Sequence, residues 1–258
     1  MRDIPLLVVS CDRYSDLWEP FLQIFRQYWA DCPFPLFLGS NHKISPDPAV
    51  TTIAIGDDRG WGAGLQSFLD RLDAKYVLMF LEDFFLEETV DTANVLRLAE
   101  IAVRNKLGCL RLTPNPPPHQ GVEGSPGLGW ILPGDPYRVS TQVALWRVET
   151  LASLLRPNFT AWDFELKGSL LSAKTSEPFW SVQEPVIRCR HAVERGLWLP
   201  TSLATCQGAG INVDLTVRRA MTNREIWRRR LNALKGKLFW SLPISVRRKR
   251  WLHIAEGR

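Results

Sequence analysis

Two hydrophobic periods take turns along the first two hundred residues. Leu6-Leu7-Val8-Val9 is a short apolar run that ends in the polar cluster Ser10-Cys11-Asp12-Arg13. Ser15-Asp16 then opens a stretch in which Leu17, Trp18, Phe21, Leu22, Phe25 and Trp29 recur at helical spacing, so the pattern predicts strand, loop, helix. Pro35 through Leu38, closed by Gly39-Ser40-Asn41, predicts a second strand, and residues 50–55, closed by Gly56-Asp57-Asp58, a third. Residues 64–72 read as a helix leading into Tyr76-Val77-Leu78-Met79-Phe80-Leu81, a wholly apolar run of the kind found at the centre of a parallel sheet. That run stops abruptly at Glu82-Asp83.

Further on, residues 90–105 predict an amphipathic helix, 109–112 a strand, and 113–135 a long Pro/Gly-rich loop, a length usually reserved for a lid or a substrate-binding element. Residues 140–146 read as a strand, 148–155 as a helix, and 162–173 as a helix approached through Thr160-Ala161. Strands alternating with helices predict an α/β fold, a mixed, mainly parallel sheet with helices on both faces. Residues 1–215 form the expected catalytic domain, and 216–258 a basic, amphipathic helical tail.

With 258 residues, 45% of them hydrophobic, the chain can bury one sizeable core. The first apolar run is too short for a signal peptide, and no apolar stretch approaches the roughly 20 residues that span a bilayer. The five cysteines are scattered without a C-x-x-C pair, which speaks against a disulfide framework or a zinc site and for a reducing, cytoplasmic setting. The net charge of +5 hides an asymmetry: residues 218–258 hold 13 Lys/Arg against Glu225 and Glu256, and the first 217 residues are acidic. Ile226, Trp227, Leu231, Leu234, Leu238, Phe239 and Trp240 interleave there with Arg228, Arg229, Arg230, Lys235 and Lys237, and Arg247-Arg248-Lys249-Arg250-Trp251 follows. The tail therefore suits a peripheral position on an anionic membrane surface. Its alternative is packing of the apolar face on the body. The acidic body argues against nucleic-acid binding. Eleven tryptophans serve equally as core and as flat faces for sugar rings.

In open α/β sheets ligands bind beyond the carboxyl ends of the strands, which here carry Ser10, Asp12, Asn41, Asp57, Asp58, Glu82 and Asp83. Neither G-x-G-x-x-G nor a P-loop follows the first strand, so a phosphate must be held otherwise. Carboxylates at a strand end can do so through Mg²⁺ or Mn²⁺. Ser10-Cys11-Asp12, Asp57-Asp58 and the run 76–81 with Glu82-Asp83-Phe84, in that order, resemble the GT-A glycosyltransferases. Ser140-Thr141-Gln142-Val143-Ala144-Leu145-Trp146 and Trp162-Asp163-Phe164-Glu165-Leu166 are similar to small bacterial transferases of surface-polysaccharide and lipopolysaccharide assembly. The resemblance covers about residues 4–200; Glu82-Asp83-Phe84 departs from the family's D-x-D element in lacking a second acid at the third position.

The resemblance implies a transferase moving sugar, with inversion, from a nucleotide diphosphate sugar to a saccharide or lipid-linked acceptor. Ser10, Asp12, Asp57, Asp58, Trp61, Glu82 and Asp83 would meet the donor, with a divalent cation on Asp83 and His191. Arg111, Gln142 and Trp162 would meet the acceptor. Asp163 would be the general base, with Glu165 in reserve. The bland readings stand beside these: Asp57-Asp58 as a turn, Asp163 and Glu165 as carboxylates favoured by a helix dipole, His191 as structural and Arg111 as an ion-pair partner. A sugar nucleotidyltransferase is the rival within the fold, but it calls for a Gly-rich loop after the first strand, and residues 10–14 contain no glycine.

Overall fold

The computed structural model describes residues 4–255. Its first strand, β1 (Leu6–Val9), is buried along its whole length. A 3₁₀ turn, Asp12–Leu17, runs into helix α1 (Trp18–Tyr28). There follow β2 (Leu36–Ser40), β3 (Thr51–Ala54), α2 (Trp61–Leu69), β4 (Tyr76–Leu81), β5 (Phe84–Leu86), α3 (Thr92–Arg104) and β6 (Cys109–Arg111). The second half brings β7 (Gln120–Val122), β8 (Ser125–Trp130), β9 (Ala144–Arg147) and α4 (Val148–Ser153). A composite helix comes next: α5 (Ala161–Asp163), a π-helical turn Phe164–Gly168, and α6 (Ser169–Ser172). β10 (Phe179–Val182), β11 (Cys189–His191), β12 (Val193–Glu194), β13 (Leu197–Trp198), α7 (Pro200–Gly208), α8 (Asn223–Trp240) and α9 (Ile244–Ala255) complete the chain.

One sheet organises the molecule, in the order β3-β2-β1-β4-β9-β6-β10-β8-β7. β3, β2, β1 and β4 are mutually parallel. β9 runs against β4 and β6, β10 is parallel to β6, and β8 opposes both β10 and β7. Only β8 and β9 therefore run against the common direction, so the expected mixed, mainly parallel sheet is what forms. Because successive strand residues face opposite sides, the apolar runs divide between two layers. Leu6, Val8, Leu78 and Phe80 join α1 and α3 through Phe21, Phe25, Val95 and Leu98. Leu7, Val9, Val77 and Met79 face α2, α4 and the composite helix through Leu65, Phe68, Leu151 and Phe164. Each such fully buried side chain contributes about 1.5–3 kcal/mol, which is why β1 and β4, at the centre of the parallel half-sheet, stay apolar until they end.

Three sequence expectations change. The Pro/Gly-rich loop is not free: residues 120–130 form the hairpin β7–β8, which pairs with β10 at the sheet edge. Gly129 answers to packing, since a Cβ there would lie 2.7 Å from the Pro118 ring. The boundary at 215/216 also moves. Trp198 and Ala220 form a bridge, Met221 is buried, and Arg218 places two nitrogens on the Asp16 carboxylate at 2.8 and 2.9 Å. Residues up to 221 thus belong to the body. The segment expected to be a second membrane anchor is divided: Trp251 is 1% exposed against Leu166 and Arg248 holds Asp135 at 2.7 Å, while Lys249 and Arg250 stay exposed. Of the basic residues assigned to the tail, the side chains of Lys235 and Lys237 lie outside the described parts. So do residues 256–258, Glu256 among them.

Candidate active site

Strand ends from three parallel strands and the β12–β13 turn enclose a cleft of about 540 Å³. β1 leads into Ser10, Cys11, Arg13 and Tyr14; β2 into Asn41; β4 into Glu82 and Asp83. The loop before α2 adds Asp58, α2 itself Trp61, the start of the composite helix Thr160 and Ala161, and the β12–β13 turn Arg195 and Gly196. This is the carboxyl edge of the parallel half-sheet, where an α/β fold leaves backbone groups and polar side chains free for a ligand.

Chemistry concentrates at the two-residue turn between β4 and β5. The Glu82 carboxyl has no partner from another residue among those described, and its pKa is raised well above the ordinary value by burial, then by the charge of Asp83 beside it. A carboxylate in that position is costly to ionise until a cation arrives. Asp83 turns the other way, with one oxygen 3.1 Å from His191 Nδ1, and its carbonyl accepts from the Ala192 amide. The antiparallel pairing of β11 with β5 creates this contact by setting His191 opposite Phe84. Burial alone would lower the His191 pKa; the hydrogen bond and charge of Asp83 prevail, with help from Glu194 and Glu165, and raise it.

The metal expectation can be weighed against these side chains. Among the described residues no group of three or more His, Cys, Asp or Glu could hold an ion by itself. An oxygen-seeking divalent ion bound by one or two carboxylates and by substrate phosphates needs no such cage. Glu82, with its unneutralised carboxyl, and Asp83 fit that arrangement.

The other expected donor residues separate. Ser10 lines the cleft, its Oγ accepting from Trp18 Nε1 at 2.8 Å. Trp61 does so with its ring 5.2 Å from that of Phe164, and Asp58 does so while accepting from the Gly60 amide. Asp12 does not line the cleft: its carboxylate accepts backbone N–H groups from Asn41, His42 and Lys43 at 3.0–3.2 Å, and its own amide donates to Asn41 Oδ1. These bonds overcome partial burial and lower its pKa, so Asp12 fastens the end of β1 to the end of β2. Asp57 points to solvent, 3.4 Å from His42 Nε2.

The acceptor side is rearranged more. Asp163 closes a capping box with Thr160 and meets Lys167 Nζ at 2.6 Å. Hydrogen bonds from Lys167 and Thr160 lower its pKa to about 2. With both oxygens engaged, Asp163 serves the helix start as the partner of the N-cap Thr160. Glu165 sits on the π turn. Its Oε1 accepts from the amide and hydroxyl of Thr141 at 2.9 Å, leaving Oε2 without a partner among the described residues. Its charge is felt at His191, Arg111 and Tyr137.

Arg111 is 1% exposed, bonded through Nη1 to the Asn115 carbonyl, and its Nε has no partner among the described residues. Burial pushes its pKa down to about 10. A guanidinium so enclosed offers an acceptor no surface and is neither the acceptor contact nor the surface ion pair expected; it braces the loop after β6. Gln142 is half-buried, and Trp162 is 58% exposed, edge-on to Tyr137 at 6.1 Å.

Arg13 and Arg195, absent from the sequence expectations, line the cleft and pair with no carboxylate among the described residues. Arg195 and Gly196 hold left-handed φ of 52° and 75°, as the two-residue hairpin turn between β12 and β13 requires. The place of Arg195 in Glu194-Arg195-Gly196 was the only available signal.

No family model matches the chain, and no curated protein matches it. Solved structures do. TarS of S. aureus, residues 1–349 in complex with UDP-GlcNAc, is 12% identical over 71% of this chain and 57% of its own, with a TM-score of 0.47. This chain thus spans little more than half of that one. HddC of Yersinia pseudotuberculosis is 10% identical over 81% of this chain and 99% of its own, at 0.46. The 2-C-methyl-D-erythritol 4-phosphate cytidylyltransferase of Thermus thermophilus is 16% identical over 81% and 100%, also at 0.46. A structure solved with a nucleotide sugar and a cytidylyltransferase thus both stand among its structural neighbours. At these identities and TM-scores the likeness concerns architecture, and the residues must carry the chemistry.

Proposed function

We propose that this chain is a glycosyltransferase that takes a sugar from a nucleotide diphosphate sugar and passes it to a hydroxyl of a saccharide or lipid-linked acceptor. The observation that carries this reading is the unpaired Glu82 carboxyl, beside Asp83, in one cleft with two arginines, Arg13 and Arg195, that meet no carboxylate among the described residues. Such a set of charges suits a diphosphate that arrives with its own cation. When bound, a divalent ion on Glu82 and Asp83 would neutralise diphosphate charge.

Arg13 and Arg195 stabilise the charge that develops on the departing diphosphate. Trp61 gives an apolar wall. His191 holds the Asp83 carboxylate in one orientation. Glu165 replaces Asp163 as proton acceptor, with Thr141 fixing one oxygen and the other left free. In a single displacement the acceptor oxygen bonds to the anomeric carbon while the bond from that carbon to the diphosphate oxygen breaks. The acceptor proton goes to Glu165, and the nucleoside diphosphate leaves with the bonding pair. Such a displacement inverts the anomeric centre.

The nucleotidyltransferase reading is weaker, since the bend after β1 is closed by the Asp12 carboxylate and contains no glycine amides for a triphosphate. A thermal-shift screen separates the two. One of the UDP, GDP or dTDP sugars with Mn²⁺ should raise the melting temperature and CMP sugars should not, because a ligand selective for the folded state must do so. Nucleoside triphosphate with sugar 1-phosphate should not yield pyrophosphate. Pyrophosphate release would overturn the assignment.

A further inference from the structure

Helix α8 keeps two unlike faces. Its rear is held to the body: Arg229 Nε is 2.6 Å from Glu194, Trp240 stands 6.2 Å from Tyr137, and Phe239 packs beside Trp251 and Leu166. Its front carries Trp227, Leu231, Leu234 and Leu238, which are 61%, 38%, 54% and 69% exposed. At 100° per residue these four fall within about 60° of the helix circumference. They form a continuous apolar stripe along the helix, and the contacts on the rear turn it outward.

The flanks decide what such a stripe meets. Arg224 and Arg228 lie on one side of it and Arg230 on the other, all exposed and none in an ion pair among the described residues. The acidic residue of this helix, Glu225, is occupied by Arg219 and Thr222. An apolar stripe bordered on both sides by uncompensated arginines matches an interface with hydrocarbon below and anionic headgroups beside it. No helix of the described residues is long and apolar enough to cross a membrane.

We infer that α8 seats this protein on an anionic lipid surface through Trp227, Leu231, Leu234 and Leu238, with Arg224, Arg228 and Arg230 on the headgroups, while α9 holds α8 to the body through Trp251 and Arg248. The inference is independent of the reaction proposed above.

Co-sedimentation of the full chain with phosphatidylcholine vesicles, with and without phosphatidylglycerol, tests it. The wild type should sediment with the anionic vesicles and stay largely in solution with the neutral ones. Arg224→Gln/Arg228→Gln/Arg230→Gln should weaken anionic partition by about a hundredfold, at about 1 kcal/mol per basic residue. Leu231→Gln/Leu234→Gln/Leu238→Gln should abolish it. Both variants should melt like the wild type, since the altered side chains touch solvent. Wild type remaining in solution with both vesicle types would overturn the inference, as would unchanged sedimentation of either variant. A dimer by size exclusion that the leucine variant converts to monomer, without vesicle binding, would overturn it too and assign the stripe to a second copy of the chain.

Discussion

Two acidic regions at the same edge of the sheet have opposite fates. At Thr160–Asp163 both carboxylate oxygens of Asp163 are consumed by Thr160 and Lys167, and the pKa falls to about 2. At Glu82–Asp83 one half-buried carboxyl has no side-chain partner among the described residues and its pKa rises. The first stabilises the fold and has nothing left to offer a ligand. The second is costly to the unliganded fold, a cost that a cation brought with the proposed donor would offset. Satisfied carboxylates are structural; the unsatisfied one points to the ligand.

The contrast is broken or sharpened by substitutions of decreasing effect. Glu165→Gln should lower the turnover number by about 10²–10⁴, the usual loss for a general base, with donor affinity unchanged by calorimetry. Unchanged turnover would remove Glu165 from the chemistry.

Glu82→Gln should weaken metal-dependent donor binding by about 10- to 100-fold. It should also raise the melting temperature of the unliganded protein at neutral pH. The sign follows from linkage: a carboxyl whose folded pKa is raised binds its proton more tightly when folded, so its contribution is full below the unfolded pKa and is lost as pH rises. The amide avoids that loss. For the same reason wild-type donor affinity should fall as pH drops through the raised Glu82 pKa, while that of Glu82→Gln should stay flatter. A lower melting temperature for the variant would mean that Glu82 is satisfied after all.

Arg195→Ala should weaken donor binding about tenfold, the scale of one charged hydrogen bond, and a nucleoside lacking phosphates should bind both proteins alike. Equal loss for the nucleoside would place Arg195 away from the diphosphate. The smallest effect on rate belongs to Asp163→Asn. Turnover should stay within about threefold while chemical denaturation shows a loss of about 1 kcal/mol, the scale of the capping interaction Asp163 shares with the N-cap Thr160. A turnover loss matching that of Glu165→Gln would restore Asp163 as the base.

Local pattern determined a good deal of this protein. Apolar runs at 6–9 and 76–81 could only be buried strands, helical spacing through Leu17, Phe21 and Phe25 could only be an amphipathic helix, and polar residues had to follow each strand where burial ends. Hydrophobic periodicity is a property of neighbours in the chain, so it is legible there; the strand-end position of Ser10, Asp58, Glu82 and Asp83 follows from it. Tertiary structure decided which of those polar groups stay free. Asp12 is spent on amides 29 to 31 residues away, and Asp83 meets a histidine 108 positions on. Arg195 arrives from a turn that no apolar period announces. The Gly/Pro-rich segment 120–130 becomes sheet only because β10 offers it an edge, and Trp251 goes inward while Trp227 stays out because only one of them finds Leu166. Satisfaction of a hydrogen bond or burial of a ring depends on a partner remote in sequence, and spacing along the chain carries no record of it.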